Sequence, residues 1–521
     1  MILHNSRSSA SITLGFLIGI AGAAPTFSAA ATADDPIVKT RSGPVEGAID
    51  RGVLSFKGIP YAAPPVGPLR WRAPQPLASW SETPPATAFG HVCMQPLRGN
   101  RAKDFADQSE DCLYLNVVRQ NTKAKSLPVL FWIPGGGLVT GSGSELIYDG
   151  KAFAERGVIL VTINYRLGRL GFFAHPELTK ANADGGHFYN YGLMDQIAAL
   201  HWVRDNIAAF GGNPDNVTIF GESAGGASVD ALMISPEAKG LFVAAISESG
   251  YGRGNYPRVG QATKDGKPPV EQTGLDLASA LKMPNASLEQ LRAVPGADIV
   301  AASSTINSAS YIFAVDGVTI LSDLFPAFQA KQEAPVPFII GSNNYEFGFN
   351  PPGGRAAAIA KAMPADKRPA LIPAYGDDKT FDDYIVTDVT FASQARALAL
   401  RHDANGYPTY VYRFSVAPKD GSIPGAVHAS EMPYVFGNLT GNHLALKTPP
   451  DADDRRASNE MMGYWVNLAK SHNPNGNGLP EWPAYKGGDI IEIGRDATRV
   501  EVDPLTARLD KVNEVADVAA Q

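Results

Sequence analysis

Six residues, Gly221-Glu222-Ser223-Ala224-Gly225-Gly226, constrain this chain more tightly than any other stretch. Val217-Thr218-Ile219-Phe220 runs into them as a strand, and Ala227 to Met233 leaves them in a segment able to be helical. A serine on so sharp a strand-to-helix turn leaves no room for a Cβ two residues before or after it, so both flanking positions need glycine. Its hydroxyl then stands above the carboxyl edge of a sheet, at a helix N-terminus that favours negative charge. Read alone, the same residues also suit a glycine-rich loop with no chemistry. Partners elsewhere must decide.

Apolar runs supply the rest of the sheet. Leu127 to Ile133 (LPVLFWI) and Val158 to Asn164 (VILVTIN) are nearly continuous, as expected of strands buried on both faces. The first ends in Pro134-Gly135-Gly136-Gly137. Three glycines after a buried strand mean bare backbone close to something: N–H donors for an oxyanion, or simply a flexible turn. From Leu193 a helix follows, with Leu193, Ile197, Leu200, Val203, Ile207 and Phe210 at helical spacing until Gly211-Gly212 stops it. Strand, helix and strand in succession predict an α/β protein with a parallel sheet. Before all this lie short strands and turns, then a proline-rich surface loop from Phe56 to Gly67.

The first 33 residues read as a secretory signal peptide. Arg7 supplies the positive start, Ile12 to Ala24 the apolar run, and Ala30, Ala31 and Ala33 cleavage sites. The run is too short to span a bilayer, and no other stretch is long and apolar enough. Residues 34–521 are expected to form one catalytic domain, exported to the periplasm or beyond. Two cysteines remain, Cys93 and Cys112. Under oxidising conditions they would close a loop of about 20 residues, the alternative being two buried thiols. The net charge of −7, without any basic run, argues against nucleic acid as a partner. Two cysteines without clustered histidines argue against a zinc site.

Several longer stretches then carry a resemblance. FKGIPYAAPPVGPLRWRAP from Phe56, SEDCLYLNV from Ser109, WIPGGG from Trp132 and NYRLGRLGFF from Asn164 come in order, followed by NYGLMDQIAALHWVRDNIAAFGGNPDNVTIFGESAGG from Asn190. Weaker matches lie at Ile340 to Glu346, His428 to Phe436 and Asn473 to Tyr485. The chain resembles the type-B carboxylesterases, the α/β-hydrolase family that also contains the cholinesterases. The resemblance implies a mostly parallel central sheet flanked by helices, with inserted helical segments shaping a gorge.

It also implies a triad in the order Ser, acid, His. Position by position, Ser223 is the nucleophile, Glu346 the acid and His428 the base, with Asp316 as the competing acid. His402 closes an Ala/Leu-rich helix and reads as a surface or capping residue; His443 and His472 lie in polar turns. The backbone N–H groups of Gly136, Gly137 and Ala224 would hold the oxyanion. The rate would rise through roughly pH 6.5–7 as His428 loses its proton. Neither metal nor cofactor is called for. Cys93–Cys112 becomes the expected disulfide, and Arg70 with Glu110 and Arg166 with Asp195 the expected ion pairs. Glu222 either tunes His428 or is a structural carboxylate.

Departures from the family pattern bear on specificity. Pro134 and Leu138 stand where other residues are frequent, and Leu138 suggests an altered pocket wall. No tryptophan lies between Cys93 and Cys112, so the cation–π contact that would bind choline is missing. Arg253 either accepts a carboxylate on the acyl part of a substrate or sits on an exposed loop. The function expected is hydrolysis of small-molecule esters. The same residues also admit lactones, carbamates or amides, or a non-catalytic recognition module. Oligomeric state is not readable.

Overall fold

The computed structural model describes residues 36–97, 103, 105–250, 255–263, 266, 268–306, 313–346, 354–363, 365–440, 449–476 and 478–520. The proposed signal peptide and Arg253 therefore lie outside the described residues. Eleven strands form one sheet. They are β1 (Ala48–Asp50), β2 (Val53–Pro60), β3 (Tyr114–Gln120), β4 (Leu127–Ile133), β5 (Ile159–Ile163), β6 (Gly212–Glu222), β7 (Ala244–Glu248), β8 (Phe338–Asn343), β9 (Thr409–Phe414), β10 (Asp489–Ile493) and β11 (Thr498–Val502). Their spatial order is β11-β10-β9-β8-β7-β6-β4-β5-β3-β2-β1. From β5 across to β10 every neighbouring pair is parallel, and the outer pairs are antiparallel.

The apolar runs explain why this sheet is covered on both sides. In β4, Val129, Phe131 and Ile133 join one core while Leu130 and Trp132, one residue out of phase, join another. The same alternation divides Ile159, Val161 and Ile163 from Leu160 in β5, and Phe338 and Ile340 from Ile339 in β8. Six helices matter for the site: α1 (Tyr191–Asn206), α2 (Ala224–Ile234), α3 (Asp378–Thr387), α4 (Ser393–Ala404), α5 (Ala452–Ser471) and α6 (Thr506–Ala520). All six periodic residues read from Leu193 to Phe210 enter the first core, α1 starting two residues earlier than the periodicity shows. On the other face α5 contributes Met461, Trp465 and Leu468.

Helical insertions follow β7 and β8. Those after β7, together with Trp71 and Phe173, form a third apolar cluster around Leu277, Leu291 and Ile299. Those after β8 form a fourth, small one with α6, built from Leu371, Tyr375, Phe381, Ile385, Val512 and Val515. The expected ion pairs both form. Arg166 meets Asp195 at 2.8 and 2.7 Å, both side chains buried, and Arg70 Nε meets Glu110 Oε2 at 2.7 Å. Asp316 is occupied by Asn190 Nδ2 and by the N–H groups of Val318 and Ile320.

His402 departs from the expectation. It is fully buried, its Nε2 2.8 Å from the Val336 carbonyl, because α4 packs its last turn against the chain entering β8. An exposed helix end and a buried one look alike in a short Ala/Leu pattern.

Cys93 and Cys112 are joined by a disulfide, 19 residues apart. Gln95 ties this loop to Gly141 through two hydrogen bonds, of 3.1 and 2.9 Å. Reduction is expected to lower the unfolding free energy by about 3 kcal/mol and to leave hydrolysis by the still-folded protein intact. Urea unfolding with and without reductant, run beside an activity assay, checks this. Loss of activity ahead of unfolding would make the loop part of the site.

Candidate active site

Backbone crowding puts Ser223 where it is. The strand β6 ends at Glu222, α2 begins at Ala224, and Ser223 between them takes φ +57° and ψ −120°. A Cβ on Gly221 would come within 2.5 Å of the Gly225 carbonyl carbon, and one on Gly225 within 2.0 Å of Ile133 O. Both glycines are thus sterically required, as the motif predicted. The Ser223 N–H donates to Glu248 O at 2.8 Å, pinning the turn to β7.

The turn after β4 lies against this elbow. A Cβ on Gly135 would meet Glu222 O at 2.6 Å and Ser223 Cβ at 3.2 Å, and one on Gly136 would meet Thr140 O at 2.1 Å. Gly136, Gly137 and Leu138 take φ of +109°, +66° and +59° in succession. Leu138 is buried and joins the main core. Tyr165 OH donates to the Pro134 carbonyl at 2.8 Å, fixing the turn from the side. The N–H groups of Gly136, Gly137 and Ala224 donate to no acceptor among the described residues. Unpaired backbone donors beside a serine are suited to receive negative charge.

Glu346 and His428 arrive from the loops after β8 and β9. His428 Nε2 lies 2.8 Å from Ser223 Oγ, and its Nδ1 lies 2.7 Å from Glu346 Oε2. The second carboxylate oxygen of Glu346 accepts from Ser249 Oγ at 2.7 Å and from the Asn343 N–H at 2.8 Å. The Glu346 N–H donates to Thr387 Oγ1 at 3.0 Å. Phe391 lies against the imidazole, ring centroids 5.0 Å apart. Nothing in the sequence singles out Asn343, Thr387 or Phe391 as parts of the site. Only Ser249 had a local signal, a Ser-Gly pair at the end of an apolar strand.

Negative charge is unusually concentrated here. Glu222 Oε1 stands 3.3 Å from His428 Nε2. Burial by itself would lower His428, but the charges of Glu222 and Glu346 and the hydrogen bond to Glu346 outweigh it and raise the imidazole to about 10. Glu222 and Glu248 end neighbouring strands in register. Burial pushes Glu248 up to about 8; the Trp465 indole N–H, 2.8 Å from its Oε1, opposes this and the charge of Glu222 adds to it. Burial, Glu222 and Glu346 together raise Glu431 well above the usual carboxylate range. Asn343 Nδ2 donates to Glu431 at 2.5 Å and to the Val427 carbonyl at 2.7 Å. Among the described residues no group of His, Cys, Asp and Glu is arranged to hold a metal ion.

That strand order, with a strained serine between the central strand and its helix, is the α/β-hydrolase fold. The chain belongs to the carboxylesterase family: the family model described as "Carboxylesterase family" matches residues 34–366 and 378–511. It is 37% identical over 499 residues to para-nitrobenzyl esterase of Bacillus subtilis (strain 168), covering 91% of this chain and 98% of that one. It is 34% identical over 545 residues to carboxylesterase 1E of Mus musculus, covering 92% and 94%. A solved PNB esterase superposes with a TM-score of 0.80 at 34% identity, covering 92% of this chain and 99% of that one. The chain is a carboxylic ester hydrolase.

The pH expectation moves upward with this geometry. Neutral imidazole is needed to take a proton, and a raised pKa means that it forms at higher pH. The acid limb of kcat/KM is therefore expected above the reference histidine value of about 6.5. Glu222→Gln removes one of the two charges and should bring the limb down by about one unit. A pH–rate profile of both proteins checks this; a limb indifferent to the substitution would make Glu222 a structural carboxylate.

Proposed function

We propose that this chain cleaves small-molecule carboxylic esters through an acyl-enzyme on Ser223, with His428 as general base and Glu346 as its orienting carboxylate. The single observation that carries this is the unbroken hydrogen-bonded line from Ser223 Oγ through both nitrogens of His428 to Glu346. Nε2 takes the serine proton as Oγ attacks the ester carbonyl. Glu346 holds the tautomer with Nδ1–H and stabilises the imidazolium without taking its proton. The N–H groups of Gly136, Gly137 and Ala224 stabilise the tetrahedral oxyanion, each worth about 10²–10³ in rate. The imidazolium protonates the departing alcohol. Water then attacks the acyl-enzyme with His428 again as base, and Ser223 is restored. Leu138, in the same turn as the oxyanion donors, forms part of the pocket wall.

Stoichiometric labelling of Ser223 by diethyl p-nitrophenyl phosphate is the expected outcome. Ser223→Ala should lose roughly 10⁴–10⁶-fold in kcat. Absence of label on the folded protein would instead leave a recognition module on this fold. A panel of p-nitrobenzyl esters, the class that the Bacillus relative's name points to, beside lactones, carbamates and amides, separates ester hydrolysis from other uses of the same three residues.

We also propose export, with residues 1–33 removed as a signal peptide. The disulfide supports this; no helix among the described residues is long and apolar enough to cross a membrane. N-terminal sequencing of protein recovered outside the cytoplasm should start between residues 31 and 34. An intact Met1 on that material would overturn export by cleavage.

A further inference from the structure

The helix that touches the site from behind contains one wide turn. Between α3 and α4, residues Asp388–Ala392 form a π-helical turn, closed by the Ser393 N–H donating to Asp388 O. Such turns cost regular helical bonding and persist where the surroundings hold them. This stretch reaches two of the three residues assigned to catalysis. Thr387 accepts the Glu346 N–H at 3.0 Å, and Phe391 packs on the His428 ring. One turn earlier, Tyr384 meets Tyr345, the neighbour of Glu346, edge to face at 5.8 Å.

Gln394 Nε2 ties the turn locally to the Val389 carbonyl at 2.8 Å, and a second hold comes from α6. Asp388 lies between Thr387 and Phe391 and is fully buried. Its Oδ2 stands 2.9 Å from Arg508 Nε and accepts from Tyr375 OH at 2.6 Å, while its Oδ1 accepts from Arg508 Nη2 at 3.3 Å. The guanidinium, carried by α6, lies between two rings, 5.0 Å from the centre of Tyr375 and 5.1 Å from that of Tyr384. Much of the apolar contact here comes from the fourth and smallest core. A buried carboxylate left without its cation would take a proton, leave the low-dielectric site or recruit water, and in each case the two-point hold of α6 on the turn is lost.

We infer that Arg508 is a positioning residue for ester hydrolysis: by clamping Asp388 and Tyr384 it fixes the wide turn that seats Glu346 and His428. This rests on the Ser223–His428–Glu346 assignment. It makes the C-terminal helix part of the catalytic geometry, although that helix carries none of the three residues assigned to catalysis. A second pair, Arg396 with Asp510 at 2.6 and 2.9 Å, also binds α6 to α4 but does not reach the site.

Full-length wild type, Arg508→Met and Asp510→Asn should be titrated with diethyl p-nitrophenyl phosphate and assayed on p-nitrophenyl butyrate, with kcat expressed per titrated site. Arg508→Met is expected to lose about tenfold in kcat per site at little changed KM, the cost of a slightly misplaced catalytic group. Asp510→Asn should keep kcat per site even where it lowers the melting temperature. Phe391→Leu should cost less in the Arg508→Met background than in wild type, because both act through the same turn. If Arg508→Met yields too few sites to assay, Arg508→Lys, which loses the two-point contact and the stacking, is read in the same way. Equal kcat per site, an equal loss in Asp510→Asn, or strictly additive effects with Phe391→Leu would overturn the inference. Wild type that releases no p-nitrophenol on titration would instead refute the nucleophile assignment itself.

Discussion

Everything in the site follows from how closely two stretches of backbone approach at the end of the central strands. Gly225 lies so near the Ile133 carbonyl that not even a methyl group fits between them, and Gly135 touches the elbow from the other side. This contact sets the height of Ser223 relative to the turn after β4. It therefore decides whether the serine oxygen and the unpaired N–H groups of that turn can serve one carbonyl group. Ser223 is held at a φ that an L-residue avoids, which persists only where neighbours over-determine it. Here the parallel neighbours β4 and β7 do so, one through packing and the other through the hydrogen bond from Ser223 N to Glu248 O.

A second constraint is electrostatic. Two strand ends and the connections after β8 and β9 bring Glu222, Glu248, Glu346 and Glu431, all buried, close to the imidazole of His428. Four carboxylate charges there would be prohibitive. The fold meets this by raising Glu248 and Glu431, which favours their neutral forms, and by giving Glu346 the hydrogen bonds of Ser249 and Asn343. The charges of Glu222 and Glu346 in turn outweigh the cost of burial for His428 and raise its pKa.

Parts of this were legible in the chain itself. The elbow could be read because a glycine two residues either side of a serine has one steric reason, and that reason is local. The buried strands and α1 were legible because burial on both faces, or at helical spacing, leaves a periodic trace. The proposed acid and base needed the resemblance, since nothing near Glu346 or His428 marks either as special; proximity across 82 and 205 residues is a property of the sheet. The wide turn at Asp388–Ala392 leaves no trace, because nothing in DVTFA distinguishes one extra residue per turn from a regular helix. Its irregularity comes from partners on another helix. His402 was misjudged for a similar reason, its burial being decided by α4 packing on the approach to β8.

The three residues of the site hang from three separate connections, after β6, β8 and β9, while their spacing is set by strands whose hydrogen bonds none of those connections supplies. Outside the elbow, the turn at Asp388–Ala392 and the loop of His428, these connections can accordingly change length or side chains without resetting that spacing. A fold so divided can try out new pocket shapes one loop at a time while its chemistry stays in register, and diversification of substrates on a constant reaction is the evolutionary outcome such independence favours.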